Sequence, residues 1–271
     1  MGARPPFRQG AHSTKGGTGK IWRRGRERGQ AAPAGIIDMH CHILPGLDDG
    51  PGSMEESMQM LSIAEAEGIT HIVATPHYRP GRPHAGPQAI RSCLAQVKET
   101  ASERGIGTAL YAGNEVLFHS GMEEALDGGR ILTMNGSPFV LVEFLPGDRF
   151  LYIRNALDGI MAMGYRPVLA HAERYGCMLA DRKNAAELKS MGVRIQVNAG
   201  SVTGESGRKA GLFTARILKE GLADYIATDA HKSSGRTPAI RRCRELLHKK
   251  HGGDYAAALL YGNAGRDFGI G

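Results

Sequence analysis

The sequence predicts an α/β protein, a closed parallel barrel of about seven strand–helix units. Three observations carry this. From Ile36 onward, short apolar runs rich in β-branched residues alternate with longer helical patterns, the rhythm of βαβ units. About seven such repeats fill residues 35–271, which suits a closed barrel better than an open sheet. No Gly-x-Gly-x-x-Gly follows the first strand, so a dinucleotide-binding open sheet has no support.

Residues 1–34 stand apart. They are rich in Gly, Arg, Pro and Ala and lack hydrophobic periodicity, so they are expected to be a disordered basic extension. They hold eight Lys and Arg and one acid, Glu27, so the chain's net charge of +7 sits entirely there and the remainder is neutral. The high pI therefore gives no reason to expect nucleic-acid binding by the folded body. Gly16–Lys20 (GGTGK) is not a P-loop, because Thr14 stands where Gly is needed and Ile21 where Ser or Thr is needed. The extension lacks the apolar core of a secretory signal and weakly resembles a transit peptide. An anchor to an anionic surface is a further reading, and residues upstream of the true start codon the favoured one.

The first strand begins at Ile36, ends in His40-Cys41-His42 and opens into an acidic loop reaching Asp49. Ser53-Met54-Glu55-Glu56 is a capping box, so a helix runs from there to about Glu67, ended by Gly68. Thr70–Thr75 is the next strand, followed by Pro76-His77-Tyr78. A Gly/Pro/Arg loop leads to a helix at about Gln88–Arg104. Residues 107–118 carry a strand with Gly113-Asn114-Glu115 at its end. Phe139–Phe144 is a strand, Phe150–Met163 a helix, and Arg166–Ala170 a strand that ends at His171-Ala172-Glu173-Arg174. Helix 182–191 leads to strand Arg194–Val197, and helix 207–220 to strand Asp224–Thr228, which ends in Asp229-Ala230-His231. Helical stretches at about 238–250 and 254–261 close the chain.

In such barrels the site lies at the C-terminal ends of the strands. The candidate ligands fall there: His40 and His42, His77, Glu115, His171, and Asp229 with His231. Side chains two apart on a strand share a face, so His40 and His42 point one way and Cys41 the other. Asp229 and His231 repeat the spacing on the last strand, which neighbours the first in a closed barrel. With Asp49 in the loop, the set holds up to eight nitrogen and oxygen ligands and no thiolate. That is too many for one ion, and suits two or three divalent ions such as Mn, Fe, Co or Zn. Clustered ions suit phosphate-ester hydrolysis, because they lower the pKa of water and neutralise phosphoryl charge. Arg174 and Arg236 follow two of the ligand-bearing strand ends and would clamp the phosphate.

The segments IIDMHCHILPGLDDGPGSMEESMQML, VATPHY, GNEV, AHAERY and TDAHKSSGR, in this order, resemble the bacterial PHP-domain protein tyrosine phosphatases of the CpsB/CapC type, linked to capsule and exopolysaccharide synthesis. The resemblance spans about residues 36–250. It implies a distorted, TIM-like (β/α)7 barrel and a metal-dependent phosphatase, usually manganese-dependent. The implied substrate is phosphotyrosine on a bacterial tyrosine kinase, typically in its C-terminal tail. By motif, His40, His42, Glu115 and Asp229 would hold one ion. Glu115 would bridge to a second with His77 and His171, Asp49 and His231 would serve a further site, and Arg174 and Arg236 would grip the phosphate. Residues 1–34 are extra to the family pattern. Gly262–Arg266 (GNAGR) has Ala264 where Asn-Pro is expected, which questions the packing of that end.

A cysteine-based tyrosine phosphatase needs Cys-x5-Arg. Six residues beyond Cys41, Cys93, Cys177 and Cys243 stand Leu47, Glu99, Lys183 and Lys249, so metal-activated water is the expected nucleophile. The four cysteines show no CxxC spacing, which fits a reducing cytoplasm. No apolar run approaches the roughly 20 residues of a membrane span. A homo-oligomer is compatible with the sequence. Three rival readings remain open: a phosphatase of a small phosphomonoester such as histidinol phosphate, a nucleic-acid-associated PHP module using the basic extension, and a non-catalytic metal-binding regulator.

Overall fold

The barrel starts with β1 (Ile36–Cys41), six buried residues whose register against the next strand slips by one between Asp38 and Cys41. The slip is a bulge, and a bulge lets neighbouring residues face the same side. Met39 joins the apolar cluster inside the barrel while His40, next to it, reaches the candidate site. Cys41 joins the other apolar cluster, between strands and helices, as alternation predicts. The computed structural model describes residues 35–81 and 84–271; the expected disordered extension over residues 1–34 lies outside them.

Ser53 caps α1 (Met54–Glu67), its side chain accepting from the Glu56 amide, and Gly68 ends the helix in the left-handed region at φ 89°. There follow β2 (Ile69–Ala74), β3 (His77–Tyr78), α2 (Pro87–Glu103), β4 (Ala109–Ala112), β5 (Glu115–Leu117) and α3 (Met122–Asp127). The chain continues through β6 (Phe139–Glu143), α4 (Phe150–Ala162), β7 (Arg166–Leu169), α5 (Gly176–Ala180), α6 (Lys183–Met191) and β8 (Arg194–Asn198). It ends with α7 (Ala199–Thr203), α8 (Arg208–Lys219), β9 (Tyr225–Ala227), α9 (Arg241–His251), α10 (Gly253–Ala257), a π turn (Ala258–Gly262) and α11 (Asn263–Phe268).

All strand pairs are parallel, in two ladders ordered β1-β2-β4 and β3-β5-β6-β7-β8-β9. β2 and β3 share one barrel position, as do β4 and β5, so these strands fill the seven positions expected. The seam closes between β1 and the end of β9. Cys41 bridges Ala230 in parallel, the His42 amide donates to Ala230 O (2.8 Å), and the Asp229 amide donates to His40 O (2.8 Å).

The strand expected over 107–118 is corrected. It breaks at Gly113-Asn114, and Glu115 opens β5 rather than ending one long strand. Pro76, which has no amide hydrogen, breaks the neighbouring position. Asn114 ties the two breaks together: its Nδ2 donates to Pro76 O (2.9 Å), and its Oδ1 accepts from the Leu132 amide (2.9 Å). Gly113 packs closely: a Cβ there would stand 3.1 Å from Met134 Sδ and 3.2 Å from Val73 Cγ1, so those side chains would have to give way by a few tenths of an ångström. The short helices α3, α5 and α7 escape the sequence pattern, because five or six residues carry too little periodicity.

The barrel interior below the site is apolar: Ile37, Met39, Val73, Leu141, Val168 and Tyr225 pack there with Ala264, Phe268 and Ile270 from the chain's end. The segment Gly262–Arg266, with Ala264 where Asn-Pro was expected, still packs. Asn263 Nδ2 donates to Asp224 O (2.8 Å), and bare Gly265 leaves room for Ile270 O, which would meet a Cβ at 2.9 Å.

Candidate metal centre

Every predicted ligand lands at the C-terminal end of the barrel, and alternation accounts for most of the aim. His40 and His42 bring their Nε2 atoms to 3.3 Å from each other across the bulged end of β1. Glu115 Oε2 lies 3.3 Å from His40 Nε2, 3.3 Å from His42 Nε2 and 2.9 Å from His77 Nδ1. Asp229 Oδ1 lies 3.4 Å from His40 Nε2 and 3.6 Å from His42 Nε2. His171 Nε2 meets the other oxygen of Glu115 at 2.7 Å. Asp49, in the exposed loop after β1, reaches His77 (3.3 Å) and His231 (3.4 Å).

Seven of the eight predicted residues, joined by Glu143, fall into three overlapping donor groups: His40, His42, Glu115 and Asp229; His42, Asp49, His77 and His231; and His77, Glu115 and Glu143, while His171 stands outside all three and pairs with Glu115. Glu143 is the ligand-type residue that the sequence reading missed. It ends the apolar strand β6 at the same height as the others, and its register partner is Leu117, two residues beyond Glu115. A carboxylate closing a fully buried strand was the available signal.

Three further side chains missed in the sequence hold the donors in place. Asp48 Oδ2 pairs with His42 Nδ1 at 2.6 Å and accepts the His77 amide at 3.0 Å, while its Oδ1 accepts the Gly50 amide at 2.8 Å. Gln196 Oε1 accepts the His171 amide at 2.7 Å and lies 3.2 Å from His40 Nδ1. Asn198 Nδ2 donates to Asp229 Oδ2 (3.0 Å). Such partners fix the orientation of an imidazole or carboxylate toward an ion. His171 and Asp229 adopt positive φ, 31° and 53°, conformations that side chains other than Gly rarely take and that cluster at functional sites.

The electrostatics are those of a donor cluster balancing itself with protons. Burial opposes charge on His42, but Asp48 and Glu115 outweigh it and hold its pKa up at about 10. Burial likewise opposes charge on His77, which Glu115 and Glu143 raise to about 9. Burial and the neighbouring His42 push His231 down to about 3. Burial works against Glu115 and Asp229 as carboxylates, yet the surrounding imidazoles keep both ionised.

The residues fit metal ions. His77 Nδ1, Glu115 Oε2, Asp229 Oδ1 and His231 Nε2 are buried and crowded by charged neighbours, yet none of them makes a hydrogen bond of good geometry. Buried polar atoms normally have such a partner. Ligand atoms roughly 2.0–2.2 Å from a shared ion stand about 3 Å or a little more from each other. The separations of 3.3, 3.3, 3.4 and 3.6 Å among His40, His42, Glu115 and Asp229 match that spacing.

The two predicted arginines border this cluster. Arg174 Nη2 lies 2.5 Å from Asp229 Oδ2, and Arg236 Nη2 lies 2.9 Å from Asp229 Oδ1. Arg79, not foreseen, reaches His77 Nε2 (2.7 Å) and Glu143 Oε1 (3.3 Å). The mouth is open: the side chains of Asp49, Arg174 and Arg236 are 58%, 42% and 47% exposed. Cys41 and the other three cysteines are free thiols, and Cys41 is buried on the far side of β1.

Fold and site together define a parallel barrel protein with a candidate metal centre of clustered imidazoles and carboxylates at its C-terminal end. Residues 36–268 match the family model for capsular polysaccharide synthesis, CpsB/CapC, and the chain belongs to that family. It is 31% identical to the tyrosine-protein phosphatase CpsB of Streptococcus pneumoniae over 233 residues, which are 84% of this chain and 96% of the relative. It is 30% identical to the tyrosine-protein phosphatase YwqE of Bacillus subtilis over 220 residues, 81% of this chain and 86% of the relative. A crystal structure from work on YwqE and CpsB, described as unique metal-dependent tyrosine phosphatases, superposes with a TM-score of 0.82 at 28% identity, covering 87% of this chain and 95% of that chain. A variant organophosphorus hydrolase superposes at 0.58 with 13% identity over 88% of this chain and 93% of the other, a likeness of fold alone.

Proposed function

We propose that this chain is a metal-dependent protein-tyrosine phosphatase, a phosphoric monoester hydrolase that does not use cysteine. The observation that carries the reading is the convergence of His40, His42, Glu115 and Asp229, with buried donor atoms that make no well-formed hydrogen bond, beside two arginines. The names of the relatives point the same way. His40, His42, Glu115 and Asp229 would hold one ion, and Glu115 would be shared with a second held by His77, Glu143 and His171. Asp49 and His231, with His42 and His77, suit a third. A mixed imidazole and carboxylate set without thiolate suits Mn, Fe, Co or Zn, and Mn is taken first because the resemblance to the CpsB/CapC phosphatases implies it.

When bound, such ions supply the Lewis acidity that lowers the pKa of water and neutralises phosphoryl charge. The protein's own residues do the rest. Asp48 and Gln196 fix the rings of His42 and His40. Arg174 and Arg236 now face Asp229 and offer their planar forks to phosphate oxygens at the open mouth. The open mouth favours a phosphotyrosine on a protein over a metabolite enclosed in a deep pocket. We infer the substrate to be the C-terminal tail of a bacterial tyrosine kinase, acting in capsule or exopolysaccharide synthesis in the cytoplasm. No helix among the described residues is long and apolar enough to cross a membrane.

The test is hydrolysis of p-nitrophenyl phosphate and of a substrate panel by protein reconstituted with Mn. Activity should rise with Mn, vanish on chelation, and favour a phosphotyrosine peptide over a phosphoserine peptide and over histidinol phosphate. Full activity in a His42→Ala, Asp229→Ala double variant, or after exhaustive chelation, would sink the proposal. A preference for histidinol phosphate would establish the small-molecule alternative.

A further inference from the structure

A second cavity of about 300 Å3 adjoins the donor cluster. Its polar end is formed by Glu143, His171 and Arg174, so it opens onto the same centre. Its walls are Leu117, Phe144, Leu145 and Pro146. The strand geometry that builds the centre also builds this wall. Leu117 lies two residues beyond Glu115 on β5, hence on the same face, and pairs in register with Glu143 of β6.

The wall is rigidly placed relative to the donors. Tyr175 is buried behind it. Its hydroxyl accepts the Phe144 amide at 3.2 Å and lies 3.4 Å from His171 Nδ1, so one side chain contacts both the apolar wall and a candidate ligand. The Phe144 ring stacks on Phe118 at 5.4 Å between centroids and meets Tyr152 edge-on at 6.1 Å. The outer lip stays uncovered: Leu145 is 58% exposed. The guanidinium groups of Arg79 and Arg174 border the cavity, and such groups stack on aromatic faces.

We propose that this cavity is the slot for the aryl ring of the phosphorylated side chain, and that Leu117, Leu145 and Pro146 select an aromatic phosphomonoester over an alkyl one. The assignment rests on the phosphatase reading of the adjoining centre. A phosphate held between the donors and Arg174 leaves its ester substituent pointing toward the cavity. A phenyl group there removes apolar surface from water on both partners. The single methylene of phosphoserine offers the walls far less apolar surface than a phenyl ring.

The test is binding of two non-hydrolysable probes, phenylphosphonate and methylphosphonate, to the Mn-loaded full chain by calorimetry. Wild type is expected to favour the phenyl probe by roughly tenfold or more, the scale on which apolar pockets discriminate. Leu117→Asn and Leu145→Asn should each cut that ratio several-fold. Leu145 is exposed, so its variant is not expected to threaten folding. Equal binding of both probes by wild type would overturn the slot, as would an unchanged ratio in both variants. Hydrolysis of a phosphotyrosine peptide is measured alongside. A protein that prefers phenylphosphonate but does not hydrolyse the peptide would refute the phosphatase reading and leave the slot standing.

Discussion

At the residue scale, the site depends on groups that touch no ion. Asp48 meets His42 Nδ1 at 2.6 Å and also accepts two backbone amides, so it sets both the ring and the loop. Asp48→Asn keeps the shape and removes the charge. It should weaken Mn binding about 10- to 100-fold, the usual effect of losing such a partner, read by metal titration. Cys41 gives the opposite expectation. It lies between two histidines in sequence but is buried in the outer apolar cluster, its Sγ 3.8 Å from Ala230 O. Cys41→Ala should cost about 1 kcal/mol of stability, typical of a point substitution, and leave turnover of p-nitrophenyl phosphate within about twofold. Loss of turnover in a folded variant would restore a role for the thiol.

At the element scale, the two broken barrel positions decide the aim of His77 and Glu115. Each donor sits on a short second segment, β3 or β5, rather than at the end of a long strand. Asn114, buried at the break, satisfies Pro76 O on one side and the Leu132 amide on the other. Asn114→Ala should cost about 2–3 kcal/mol, because two buried backbone groups lose their partners. Denaturant unfolding would read that loss, and metal affinity should fall with it as β3 and β5 lose their shared tie. The sequence marked this place with Pro76 and Gly113 but did not show that the chain would resume as a strand. That depends on the neighbouring ladder, where His77 pairs with Glu115 and Glu115 with Leu141.

At the scale of the whole molecule, the barrel separates chemistry from stability. Ligand-type residues lie at the C-terminal ends of the strands, and the far end is plugged by Phe268, which meets Phe139 at 5.6 Å and Tyr225 at 5.4 Å between ring centroids. Phe268→Ala should destabilise by about 3–5 kcal/mol, as for a buried aromatic truncated to a methyl group. Its activity per folded molecule, assayed well below the melting temperature, should match wild type. A variant that keeps its stability but loses activity would contradict this division.

The sequence by itself determined the parallel barrel and its seven positions, and it pointed to seven of the eight residues in the donor groups. Hydrophobic period, strand-end placement and two-residue spacing are local properties, and in a barrel they all point to one end. The cap at Ser53 and the glycine stop at Gly68 were legible for the same reason, although the Glu56 carboxylate of the expected capping box accepts from the Gly52 amide rather than from that of Ser53. What only the tertiary structure decided was which donors share an ion-sized space. Glu143 enters because β6 lies beside β5. The tertiary structure also decided the supports: Asp48 because the loop folds back onto His42, and Gln196 because its side chain on β8 reaches both His40 and the His171 amide. The bulge that turns Met39 and His40 to the same side is a mismatch between two strands, and no single strand carries that signal. Long-range pairing set these distances, and distance is what makes scattered polar residues a centre.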